Sequence, residues 1–202
     1  MPTTSSKNAD RNDGRLVLVV GPSGVGKDTL LDGARAALAD DASVVFARRE
    51  ITRPAEAGGE NHIPVGMGTF RDRAATGRYL LSWEANGHGY GLPGSLRDDL
   101  DAGRTVVANG SRAVLAEARA LFPNLRVISI TASPETVAAR LAKRGREGPD
   151  EIAARVARGR AYAVTGPDVI TVNNDGPPED GIAGLTEAIL HQGADDAEVH
   201  GH

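Results

Sequence analysis

The sequence has no cysteine, which excludes disulfides and thiolate metal sites. Aromatic residues are scarce, at 3% of 202 residues with one tryptophan, Trp83. Ala, Val and Leu must therefore build the core, and Trp83 stands out. No apolar run approaches the ~20 residues of a membrane span. The polar opening MPTTSSKNADRNDGR lacks the apolar core of an export signal. An excess of basic residues is missing too. A net charge of -4 argues against a general nucleic-acid surface. These absences lead to the expectation of a soluble, cytoplasmic protein with neither nucleic-acid nor membrane partners. A hydrophobic share of 40% is enough for a buried core, and the length suits one domain with small inserts.

The periodicity predicts an α/β fold. Leu16 to Val20 is continuously apolar, as in a parallel strand buried on both faces. Further strands are predicted at 44–46, 105–108, 127–130 and 169–172. Helices are predicted at 29–39, 94–102, 111–121, 134–144, 150–160 and 179–190. Ser133-Pro134-Glu135 is a helix start: a cap residue, a proline in the first turn, then an acid near the positive end of the dipole. Strands alternating with helices imply a mainly parallel five-stranded sheet flanked by helices. The expected organisation is one domain over 15–192. Its core is 15–50, 93–132 and 161–192, with an insert at 51–92 and a helical lid at 133–160. The polar ends, 1–14 and 193–202, are expected to be disordered, with His200 and His202 solvated in the tail. The insert carries eight glycines. Asn86-Gly87 within it favours a tight hairpin turn.

The clearest chemical signal is Gly21-Pro22-Ser23-Gly24-Val25-Gly26-Lys27, between the first strand and the first helix. This is the context of a P-loop. Its glycines let backbone N–H groups converge on phosphate oxygens, and the helix N-terminus adds a favourable dipole. Lys27 would follow the β- and γ-phosphates of ATP during transfer. Asp28 then stands where Ser or Thr is usual, followed by Thr29. A carboxylate is a hard oxygen ligand for Mg2+; the alternative is that Asp28 only favours the helix start. The strand at 105–108 ends in Asn109, where a magnesium-orienting Asp is common. Asn109, Ser111 and Arg112 suit a phosphate or sugar hydroxyl, or equally a strand-end turn.

Arginines cluster twice. Arg48, Arg49 and Arg53 follow the second strand. Arg140, Lys143, Arg144 and Arg146 occupy a helix end and its loop, and Arg155 and Arg158 the next helix. Arg140 and Arg144 share a helix face. An arginine-rich helix–loop–helix matches a closing lid that stabilises a transferring phosphoryl group, with Arg140, Arg144 and Arg146 as the catalytic candidates beside Lys27. A solvated charged helix is the alternative.

GPSGVGK and the segment order resemble guanylate kinases. GPSGVGKD, ITRPAEAGGENH, LSWEANGHGYGLP, ANGSRA, RGRE and VNND resemble the ribose 1,5-bisphosphate phosphokinases more closely, across residues 15–190. That resemblance implies a P-loop kinase with ATP as co-substrate and Mg2+, phosphorylating ribose 1,5-bisphosphate to phosphoribosyl diphosphate in phosphonate metabolism. It implies Arg53 on the acceptor phosphate. Glu60, Asn61 and Asn86 would meet ribose hydroxyls, and Trp83 and Tyr90 would wall the pocket. His62 would contact phosphate or sit as a loop histidine. Asn173 and Asp175 would lie near adenine, or cap the next helix. The alternatives are a guanylate or other nucleoside monophosphate kinase, and a non-catalytic binding module of the same fold.

Overall fold

The computed structural model describes residues 14–54, 60–145, 148–160 and 163–191. The two polar ends, apart from Gly14, lie outside the described residues, as does Arg146. Strand β1 (Arg15–Val20) leads to helix α1 (Lys27–Ala37) and β2 (Val44–Phe46). Next come β3 (Glu50–Ile51), β4 (Ile63–Pro64), α2 (Met67–Ala75), β5 (Tyr79–Ala85), β6 (His88–Pro93) and α3 (Leu96–Asp101). The chain then forms β7 (Thr105–Asn109), a 3-10 turn at Arg112–Val114, α4 (Leu115–Leu121) and β8 (Arg126–Thr131). It ends with α5 (Pro134–Arg144), α6 (Pro149–Arg160), β9 (Val169–Asn173) and α7 (Pro178–Leu190).

Five strands make one all-parallel sheet in the order β2-β7-β1-β8-β9. The alternation of a pleated strand buried on both faces explains why β1 is apolar from Leu16 to Val20. Leu16, Leu18 and Val20 face one cluster, with Val106, Ala108 and the residues of α3 and α4. Val17 and Val19 face the other, with Leu30 and Leu31 of α1 and Leu185 and Ile189 of α7. The chain leaves β1 toward one edge and leaves β7 toward the other. The crevice at the carboxyl ends of β1 and β7 is thus the switch point where such sheets bind ligands.

The insert is more ordered than a single hairpin. It forms a second sheet, β4-β3-β6-β5, braced by α2. The β5–β6 hairpin turns on Asn86 (φ 51°) and Gly87 (φ 76°), both left-handed, as a type I′ turn needs. Buried Glu50 ties this sheet together, accepting from Arg73 Nη1 at 2.5 Å and from Tyr79 Oη at 2.6 Å. Burial and then Glu50 push the Tyr79 phenol up to about 12. None of the described helices is long and apolar enough to cross a membrane.

Candidate active site

The turn between β1 and α1 is held in P-loop form by its glycines. Gly26 is left-handed (φ 97°), and α1 begins on it with no side-chain cap. The first-turn amides are therefore left to an anion. Lys27 Nζ folds back on the loop and donates to the carbonyls of Gly21 (2.7 Å) and Pro22 (3.1 Å). Burial lowers its pKa to about 8, with Arg49 adding to the effect and Asp28 and Glu60 opposing it. Beside the loop lies a cavity of about 450 Å³ lined by Ser23, Lys27, Asp28, Arg140, Arg144 and Asn174.

Asn109, at the end of β7, joins the loop to the insert. Its Nδ2 donates to Asp28 Oδ1 at 3.1 Å and to Glu60 Oε2 at 2.8 Å. Burial, and then the charge of Glu60, raise the Asp28 carboxyl above its ordinary value, although the side chain still borders the open cavity. Asp28, a hard-oxygen group on the cavity, fits a divalent cation, while both Glu60 oxygens are already engaged by Arg49 and Asn109. Among the described residues no group of three or more His, Cys, Asp or Glu is placed to hold a metal ion. A Mg2+ ion here would take Asp28, with Glu60 nearby, and complete its shell from phosphate oxygens and water.

The insert residues predicted from the sequence have varied fates. Glu60 has both oxygens in a fork with Arg49, at 2.8 and 2.6 Å. His62 is buried, with Nδ1 3.0 Å from the Glu60 carbonyl and Nε2 2.9 Å from the Arg53 carbonyl. Both ring nitrogens thus face main-chain oxygens. Arg53 keeps a buried Nε with no hydrogen-bond partner among the described residues. Asn61 is exposed and borders a small cavity with Asp28 and Asn109. Asn86 sits at the hairpin tip, where the turn explains it. Trp83 belongs to the core and stacks on Tyr90 (5.5 Å between centroids, 9°). Ser111 caps the short 3-10 turn by accepting from the Ala113 amide, and Arg112 opens that turn, exposed.

Helices α5 and α6 lean on the loop. Arg140 Nη1 donates to the Val25 carbonyl (3.3 Å), and Arg155 Nη1 to Ser23 Oγ (2.8 Å). Helix α5 starts as its sequence predicts, with Ser133 Oγ accepting from the Thr136 amide. After β9, Asn173 and Asp175 bond each other, and Asp175 accepts from the Ser133 amide at 2.7 Å. These bonds hold the Asp175 carboxyl well below the usual range. Asn174, not Asn173, reaches the P-loop. It is buried and donates to the Val25 carbonyl at 2.8 Å. Strand alternation carries the signal: Val172 points inward, so Asn174 does too. Arg49, named only as part of the first arginine cluster, is the other residue the structure adds, through its fork to Glu60.

No protein-family model matches the chain. Over 178 residues it is 50% identical to a ribose 1,5-bisphosphate phosphokinase of Rhodopseudomonas palustris, covering 88% of this chain and 89% of that protein. It is 48% identical over 181 residues to a bifunctional ribose 1,5-bisphosphokinase-thymidine phosphorylase of Azorhizobium caulinodans. That match covers 90% of this chain but 26% of the relative, so the chain spans about a quarter of that protein's length. Among solved structures, a guanylate kinase from Anaplasma phagocytophilum superposes with a TM-score of 0.61 at 19% identity, over 87% of this chain and 84% of that one. At that identity the superposition shows the fold alone, that of a P-loop NTPase.

Proposed function

Because the chain belongs to the ribose 1,5-bisphosphate phosphokinase family, we infer that it transfers the γ-phosphoryl group of ATP to ribose 1,5-bisphosphate. The observation that carries this is the 50% identity to a phosphokinase of that name along nearly the whole of both chains. A 1-phosphate oxygen of the sugar forms the new P–O bond, the bond to the β-phosphate oxygen breaks, and ADP leaves. The product is 5-phosphoribosyl 1-diphosphate.

The acceptor oxygen is already ionised at neutral pH, so no general base is required. The obstacle is repulsion between two phosphate groups, and positioning plus opposite charge removes it. Gly21 to Thr29 cradle the triphosphate in this reading. Lys27 exchanges its two loop carbonyls for phosphate oxygens. Arg140 and Arg144 face the cavity from α5 and stabilise the transferring group; the role that the sequence gives Arg146 is the same, although that residue lies outside the described ones. Arg53, with its unpartnered Nε, takes the acceptor phosphate. Asn61, Asn109, Ser111 and Arg112 border the acceptor. Mg2+, held through Asp28 beside Glu60, supplies further neutralisation between the phosphates when bound. ATP as donor supports a cytoplasmic location.

The test is ADP release by the purified chain with magnesium-ATP, comparing ribose 1,5-bisphosphate, GMP and no acceptor. Turnover is expected on the sugar compound alone. Faster turnover on GMP would replace this reading with a nucleotide kinase, and none on either acceptor would favour a binding module.

A further inference from the structure

We infer that Arg49 sets acceptor specificity by covering, with its own planar guanidinium, the aromatic face on which a nucleobase would stack. The inference rests on the phosphokinase reading and deepens it, by giving a reason why the acceptor is a phosphorylated pentose without a base.

Trp83 and Tyr90 form a nearly parallel pair on the insert sheet. The Arg49 Cζ lies 4.9 Å from the Tyr90 ring centroid and 5.5 Å from that of Trp83. A guanidinium is flat, delocalised and weakly hydrated, so it competes for the same surface as a base. Arg49 is only 8% exposed and does not behave as a swinging surface cation. Its Nε and one terminal nitrogen are locked by the fork to Glu60. Asn109 holds Glu60 in turn. On its other side the Arg49–Glu60 pair borders only a gap of about 20 Å³, shared with Asp28, Asn61 and Asn109, so the guanidinium has little room to retreat from the rings.

A base that displaced Arg49 would leave the largely buried Glu60 carboxylate without its partner. Breaking a buried pair from one side costs more than stacking returns. A pentose bisphosphate has no planar ring and asks nothing of that face. It gains instead from the positive charge beside it.

The test is calorimetric binding of GMP, CMP and ribose 1,5-bisphosphate to the full chain, with the nucleotide site filled by magnesium and a non-hydrolysable ATP analogue. The wild type is expected to bind the sugar and to bind both nucleotides at least tenfold more weakly. Arg49→Ala should tighten GMP at least tenfold, and CMP by less because its ring is smaller, while weakening the sugar. An Arg49→Ala protein that still binds the ATP analogue but excludes GMP as the wild type does would overturn the assignment. Should Arg49→Ala fail to fold, Arg49→Lys keeps the charge and loses the plane and the fork. A GMP-to-sugar preference unchanged in that variant would overturn the assignment equally. Wild-type turnover of ribose 1,5-bisphosphate is read separately. Its absence removes the activity reading, whereas its presence beside an unaltered Arg49 variant removes only the role given to Arg49.

Discussion

Lys27 is a cation waiting inside its own loop. With two carbonyls as acceptors and little water around it, its pKa falls to about 8, against an ordinary 10.5. The sign of the consequence follows from linkage. As pH rises through about 8, the free protein loses this charge first, while the unfolded chain keeps it to about 10.5. The contribution of this group to folding stability therefore rises over that window. Bound phosphates favour the charged form, so binding of magnesium-free ATP should weaken above pH 8 and take up a proton. Calorimetry near pH 8.5 in two buffers of different ionisation heat measures that uptake, and equal heats would mean that Lys27 is already charged in the free protein. Lys27 was legible in the sequence because a phosphate cradle imposes a local spacing. Arg49 and Asn174 were not, because their importance lies in partners far along the chain: Glu60 and Trp83 for one, Val25 for the other.

Among the elements, the long apolar strands and the capped helices were readable, because each satisfies its own backbone and buries a periodic face. The small ones were not. β3 and β4 have two residues each, below the length at which alternation means anything, and β4 is exposed. Helix α2 buries only Phe70 and starts on Gly66 without a side-chain cap. Its place comes from the hairpin beside it. The hairpin itself was visible through Asn86-Gly87. Beyond its chain neighbours, no heavy atom of the described residues lies within 4 Å of where a Gly87 Cβ would sit, so a substitution there is opposed only by the positive φ. Gly87→Ala should cost about 1 kcal/mol and lower the melting temperature by about 2–4 °C. Trp83, the sole tryptophan, reports the insert by fluorescence. A melt matching the wild type would show that the turn tolerates a side chain and is not type I′.

At the scale of the molecule, a net charge of -4 surrounds a crevice lined by Lys27, Arg140 and Arg144, with Arg49 on the insert side. Such a crevice draws anions against the overall charge, and salt screens the attraction. The Debye length falls from about 10 Å at 0.1 M to about 3 Å at 1 M. Raising NaCl across that range should increase KM for ribose 1,5-bisphosphate several-fold with little change in kcat. A KM indifferent to salt would mean that these cations act only at contact. Asn109 brings a different consequence. One amide nitrogen serves Asp28 on the P-loop helix and Glu60 on the insert, and Glu60 grips Arg49. Whatever recruits Asp28 alters what the amide offers Glu60. The two substrates thus share a thermodynamic square: the factor by which nucleotide tightens the acceptor must equal the factor by which acceptor tightens the nucleotide.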